Sequence, residues 1–136
     1  MRFQFLLLAL LGLGTPTLLA QTLQEPLETR IEVLEEGDRL IVSAVFQNNT
    51  QAFLDYEYRL RVERSGPNGS LSSGQSNDFR AGPEQRVVLA TTDINRDPAD
   101  TYVLRLEIVN AKAEVILSDE VTISGKKKTR TRTRSS

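Results

Sequence analysis

The side chains that most enzymes use for proton transfer and nucleophilic attack are scarce in this sequence. The 136 residues include no His and no Cys, so imidazole and thiol chemistry are missing. Neighbouring carboxylates such as Glu35-Glu36 and Asp119-Glu120 could in principle exchange protons, but nothing nearby marks a cleft, and we expect them to be solvated. The sequence contains no glycine-rich phosphate loop. We therefore expect no catalytic residues, no cofactor and no enzymatic activity.

One segment has the oxygen spacing of a calcium loop. Its side-chain oxygens stand at every second position, as the first three ligands of such a loop do: Asp93, Asn95 and Asp97. However, Pro98 stands where a glycine is needed, and Leu104 stands where the closing glutamate belongs. Asx side chains that hydrogen-bond to turn backbone explain the same residues. The sequence therefore predicts no metal site, and calcium is the weaker alternative.

Exposed charge is the remaining candidate chemistry, and it is most ordered in the segment Leu54–Glu63. Apolar and charged residues alternate there, and a period of two places them on opposite faces of a strand. Such a row discourages aggregation between strands, and it could also engage another polypeptide through charge complementarity. The candidate contact residues are Glu57, Arg59, Arg61 and Glu63.

The elements that must position this row are predicted to be strands throughout. Short apolar runs alternate with turn residues, and no segment has a convincing helical period. The predicted strands begin at Glu28 and continue with 39–47, 54–63, 85–92, 101–110 and 114–124, while 70–80 is either a weak edge strand or an ordered loop anchored by Leu71 and Phe79. About seven strands of this kind predict an all-β fold, an immunoglobulin-like antiparallel β-sandwich.

The start of the sixth strand supports this class. Asp100-Thr101-Tyr102 is similar to the tyrosine corner of immunoglobulin-like folds. The buried tryptophan and the bridging cysteines of antibody domains are absent, because the sequence has no Trp and no Cys. The sequence therefore indicates a sandwich that is not of the antibody type.

The two ends of the chain differ from its body. Residues 1–20 have the basic start and short apolar core of a secretory signal peptide, with cleavage expected after Ala20 and no membrane span afterwards. We expect a leader over 21–27, the domain over 28–124 and a basic disordered tail over 125–136. Residues 21–125 carry a net charge of −8, whereas the six Lys and Arg residues of the tail give +6. The tail could bind an envelope polyanion or an acidic client, or it could only aid solubility. It has no aromatic residue to stack on bases, so nucleic acid is not expected.

Several segments resemble the curli-assembly CsgC/CsgH family, and in particular its CsgH-like branch. They are Tyr58-x-Leu60-x-Val62, Ser65 to Ser70, Gln75-Ser76-x-x-Phe79 and Gly82-x-Glu84 before Val87-Val88-Leu89. The resemblance extends over about residues 28–123. The Cys-x-Cys pair of the CsgC branch is missing, so no redox role can be transferred.

This resemblance implies a small periplasmic protein that keeps amyloid-forming, curli-like subunits from polymerising before export. It would act as a monomer through transient contact, without catalysis. Glu57, Arg59, Arg61 and Glu63 are then the candidate client contacts. The alternative hypothesis is a structural or adhesive module of the cell envelope that is anchored by the basic tail.

Overall fold

The computed structural model describes residues 25–134, so the predicted signal peptide and most of the predicted leader lie outside the described residues. Eight strands follow one another: β1 (Leu27–Glu36), β2 (Arg39–Asn48), β3 (Leu54–Gly66), β4 (Gly69–Ala81), β5 (Arg86–Asn95), β6 (Thr101–Val109), β7 (Val115–Ser124) and β8 (Lys127–Arg134). All of the strand pairings are antiparallel. Within this part of the chain, no helix is long and apolar enough to cross a membrane.

The strands form two sheets. The three-stranded sheet has the order β1-β2-β5, and the five-stranded sheet has the order β4-β3-β6-β7-β8. These pairings match the A-B-E and C-F-G pairings of immunoglobulin-type sandwiches, with β4 placed beside β3 as strand C′ is in variable-type domains. The predicted class, an all-β antiparallel sandwich, is confirmed, with eight strands instead of about seven.

The core lies between the sheets and is filled from both of them. Phe46 of β2, Leu60 of β3 and Leu106 of β6 are among the buried residues. In β3 the predicted alternation is confirmed, because Tyr58 and Leu60 are buried while Arg59 and Arg61, which follow them, are exposed. A slip of one residue would place charges in this core, so the burial pattern specifies the register.

Tyr102, the second residue of β6, closes one end of the sandwich. Its hydroxyl accepts a hydrogen bond from the backbone N–H of Asp97 at 2.7 Å and donates one to the carbonyl of Asn95 at 3.4 Å. The ring is almost completely buried. This is the tyrosine corner that the sequence predicts, and it ties the connection between β5 and β6 to the core.

Replacing Tyr102 by Phe should therefore lower the free energy of unfolding by about 1–2 kcal/mol, because the N–H of Asp97 loses its acceptor. Urea unfolding of the purified domain measures the loss. Tyr56→Phe is a matched control, since Tyr56 is half-buried and lies away from this corner. An equal effect of the two substitutions would contradict a specific role for the corner.

The polar segment 70–80 is a full strand, which resolves the choice between an edge strand and a loop. β4 has 13 residues and pairs with β3 without interruption, from Gly66↔Gly69 to Leu54↔Ala81. Phe79 is half-buried as predicted, but Leu71 is 67% exposed, so the prediction that it anchors the segment is wrong. Backbone hydrogen bonds to β3, which apolar patterns do not reveal, hold this strand in place.

The prediction of a disordered basic tail is also wrong for most of the tail. Lys127–Arg134 form β8, which pairs with β7 from Ser124↔Lys127 to Leu117↔Arg134. Gly125 has a φ of 59°, and with Lys126 it makes the tight turn into β8. The strand contains no apolar residue; its ladder with β7 and the contacts of its arginines with Asp119 and Glu25 hold it on the sheet.

Candidate functional site

The charged row of β3 lies on the outer side of the five-stranded sheet. Residues opposite each other on neighbouring strands share a face, and the ladder pairs Arg61 with Arg105 and Arg105 in turn with Glu120. We call this surface the outer charged face and define it by its charged residues on β3, β6 and β7, which are Asp55, Glu57, Arg59, Arg61, Glu63, Arg105, Glu107 and Glu120. Five acids and three arginines make it a mosaic of both signs.

The four predicted contact residues lie together on this face and pair with one another along β3. The Nε of Arg59 lies 2.6 Å from Oε1 of Glu57, and Nη1 of Arg61 lies 3.9 Å from Oε1 of Glu63. The hydrogen bond to Glu57, followed by its charge, raises the pKa of Arg59. These ion pairs are exposed, so each contributes at most about 1 kcal/mol to stability and can exchange partners easily.

Sequence reasoning did not select the three members of the face that lie on β6 and β7, which are Arg105, Glu107 and Glu120. Arg105 binds Glu120 at 2.7 Å, and this hydrogen bond raises the pKa of Arg105. Glu107 lies opposite Arg59 in the ladder. Arg105 and Glu107 could have been found from the sequence, because they alternate with the apolar residues of β6 and so occupy its outward-facing positions. Because Arg61 faces another arginine and is only loosely paired, it is the best placed cation to meet a carboxylate from outside.

A surface hollow of about 650 Å³ opens where this face reaches β4. Its lining combines apolar residues such as Tyr56 and Phe79 with five charged residues: Asp55, Glu57, Arg59, Asp78 and Arg80. Charges of both signs at this opening can meet charged side chains of another polypeptide.

In the calcium-like segment, the carboxylate oxygens of Asp93 and Asp97 accept hydrogen bonds from other groups of the protein. The carboxylate of Asp93 accepts a hydrogen bond from Nε of Arg39 at 3.1 Å, and this bond lowers the pKa of Asp93. Asp97 accepts from the N–H of Ala99 at 2.9 Å. Among residues 25–134, no three His, Cys, Asp or Glu side chains converge as metal ligands. The Asx-turn interpretation therefore holds for Asp97, whereas Asp93 lies in β5 and binds the side chain of Arg39.

Asp119 is a buried acid, so the prediction that it is solvated is wrong. Its side chain has 0% exposure, and Oδ2 accepts the backbone N–H of Ile31 at 2.8 Å. Two arginines of β8 lie near Oδ1: the Nε of Arg132 at 3.4 Å and that of Arg130 at 3.8 Å. Arg130 also donates to the carbonyl of Ile31, and burial lowers the pKa of Arg130.

The position of Asp119 in β7 could have revealed this burial. Leu117, Val121 and Ile123 lie in the same phase of the strand and are buried. The alternation of β7 therefore indicated that Asp119 is buried. The arginines that compensate its charge come from β8, which was predicted to be a disordered tail. Asp119 and Arg130 together join β1 to the last two strands.

The fold and this surface define a class: a small immunoglobulin-like β-sandwich whose exposed chemistry consists of paired charges and sheet edges. No protein-family model matches the chain, and no curated protein matches its sequence. Two solved structures are similar to it. CsgH of R. palustris is 20% identical, with a TM-score of 0.53 over 74% of this chain and 93% of CsgH. The curli protein CsgC of E. coli is 13% identical, with a TM-score of 0.58 over 69% of this chain and 96% of CsgC. The resemblance to CsgC and CsgH that the sequence indicates is thus confirmed for the fold.

Proposed function

We propose that this protein is a periplasmic, monomeric and non-enzymatic chaperone that prevents curli-like fibre subunits from polymerising before export. The observation that carries the proposal is the shared fold, which extends over nearly the full length of both CsgH and the curli protein CsgC. The signal-like residues 1–20 support a periplasmic location.

The outer charged face is suited to such a task. Amyloid grows when strands of low charge pair at their edges and their sheets pack in dry interfaces. A face covered by exposed ion pairs cannot become dry, because burying its charges costs several kcal/mol for each ion. Complementary charges instead speed the encounter with a client and favour short-lived contact.

The direct test is fibre formation by a purified curli-type subunit, followed by thioflavin fluorescence. Substoichiometric mature protein should lengthen the lag time. The effect should weaken in high salt, because the screening length falls from about 10 Å at 0.1 M to about 3 Å at 1 M. An unchanged lag time at low salt would rule out this function.

Neutralising the two central cations tests the role of the outer charged face. In the variant Arg59→Gln/Arg61→Gln, the lengthening of the lag should fall several-fold, because the row loses both cations that can meet client carboxylates. Stability should change by less than about 1 kcal/mol, since the ion pairs are exposed. Thioflavin assays and thermal unfolding measure the two effects.

The control is Arg39→Gln/Arg86→Gln. These two exposed arginines lie on the three-stranded sheet and are ion-paired with Asp93 and Glu32. Net charge changes equally in both variants, so an equal loss of inhibition would mean that total charge, and not this face, is responsible.

An envelope module anchored by its basic tail has less support. Arg130 and Arg132 lie beside Asp119, and Arg134 is ion-paired with Glu25. Half of the cations of the tail therefore neutralise acids of the same molecule, which leaves fewer for an external anchor.

A further inference from the structure

The described chain has four strands at the edges of its sheets, and three of them carry features that discourage pairing. β8 has a cation at five of its eight positions. The outer edge of β1 is capped at Ile31, whose N–H binds Asp119 and whose carbonyl binds Arg130. β5 is broken by a bulge, where its pairing with β2 shifts between Ala44 and Val45. Charges, caps and bulges are the usual devices that block edges.

The fourth edge, β4, has none of these devices over most of its length. Residues 69–77 include no charged residue and no proline. The ladder to β3 contains no shift in register. Every residue from Gly69 to Asp78 is exposed. An exposed, regular and uncharged edge of this length is a template for another strand.

The geometry of the ladder identifies the free backbone groups. Gly66 and Gly69 close the two-residue turn, and antiparallel pairs alternate from there between bonded and non-bonded. Ser70, Ser72, Gly74 and Ser76 therefore direct their N–H and C=O groups away from β3. Asp78 lies in the same phase, and its N–H is bonded to the side chain of Asn77 at 2.9 Å, as expected of an outward group.

We propose that β4 is the docking strand for the client, which adds an extended segment along Gly69–Asn77 by backbone hydrogen bonding. The identity of the client rests on the proposed function. The chemistry of the edge selects an uncharged, polar segment, because small Ser and Gly side chains permit close approach and supply no ion-pair partner. Strand addition of this kind takes its affinity from main-chain bonds.

Docking at this edge also explains how the growth of a client fibre stops. Ser72 lies opposite Glu63 and Ser76 lies opposite Arg59, so a bound strand continues a sheet whose outer side is charged. A second layer cannot pack dry on that side, and a cross-β nucleus needs such a layer. The contact is transient because Leu71 is the only large apolar residue between Gly69 and Asn77.

The test adds blocking charges at the edge. The measured quantity is the concentration of this protein that doubles the thioflavin lag time of a curli-type subunit. In the variant Ser72→Lys/Ser76→Lys this concentration should rise about tenfold, which is equivalent to about 1.4 kcal/mol of binding free energy. The matched control, Thr129→Lys/Thr131→Lys, adds the same charge on the same face at the opposite edge. It should inhibit as the unmodified protein does.

A second variant and a second measurement guard against misfolding. Ser72→Pro removes one outward N–H without removing a bond to β3, and it should also weaken inhibition. Amide hydrogen exchange of the labelled protein with the soluble subunit should show protection at Ser70, Ser72, Gly74 and Ser76.

The outcomes separate the two proposals. If the unmodified protein inhibits and both β4 variants inhibit equally well, docking at β4 is refuted while the chaperone function stands. If the unmodified protein does not lengthen the lag, the proposed function fails. In that case amide hydrogen exchange still tests docking at β4, and an absence of protection at β4 refutes it. If β4 becomes protected without the subunit as the concentration of this protein is raised, the edge pairs with a second copy of the chain, and this result would also overturn the proposal.

Discussion

Truncation of Phe46 to alanine should lower the free energy of unfolding by about 4 kcal/mol, a larger loss than at any exposed position. Phe46 has 0% exposure and lies in β2, in the smaller sheet. Its ring meets Phe79 of β4 at 5.1 Å and Tyr56 of β3 at 6.0 Å between centroids, both edge to face. The residue therefore joins the two sheets, and its removal leaves a cavity as well as losing these contacts.

Urea unfolding followed by circular dichroism measures this change. Phe53→Ala is the matched control, because Phe53 is 63% exposed and the guanidinium of Arg80 lies 5.1 Å from its ring centre. We expect it to lose about 1 kcal/mol or less. The sequence has no Cys to form a disulfide, so the loss at Phe46 is a large part of a typical stability of about 5–15 kcal/mol. Similar losses in both variants would show that the core is not organised around Phe46.

The double variant Arg130→Gln/Arg132→Gln should lose about 3 kcal/mol of stability, because it leaves the buried carboxylate of Asp119 without a cation. Both nitrogens lie within 4 Å of Oδ1, and that oxygen is buried without a hydrogen bond. Arg130 also binds the carbonyl of Ile31, so β1 loses part of its cap. Chemical unfolding of the purified domain gives the value.

A mutant cycle isolates the electrostatic part of this loss. In an Asp119→Asn background the same two substitutions should cost only about 1 kcal/mol, the part that comes from the lost hydrogen bond between Arg130 and the carbonyl of Ile31, because no buried charge remains to be compensated. Arg134→Gln is the control, since Arg134 pairs with Glu25 and both are exposed. If the double variant were no less stable than Arg134→Gln, β8 would not be held by Asp119.

Local alternation predicted most of the sandwich. The rows of β3 and β6 assigned Tyr58, Leu60 and Leu106 to the core, and the structure confirms them there. The motif around Tyr102 predicted the tyrosine corner. These assignments succeed because the direction of a side chain along a strand depends only on the parity of its position.

The candidate site was predicted only in part. Glu57, Arg59, Arg61 and Glu63 lie on one face as expected, but their cross-strand neighbours Arg105, Glu107 and Glu120 come from the register of other strands. For 70–80 the sequence left open a weak edge strand or an ordered loop, because its polar and glycine residues give no clear strand pattern. The ladder with β3 makes it a strand.

The sequence by itself determined which segments are extended, which side chains face the core and which class of sandwich results, because these follow from a period of two and from turn residues. Only the tertiary structure decided which edges remain open, that the basic tail is a strand and that Asp119 is buried. Those features depend on partners far away in the chain: Ile31 and Asp119 are 88 positions apart. Hydrogen-bond partners and charge compensation are set by the meeting of distant segments, and no local pattern encodes them.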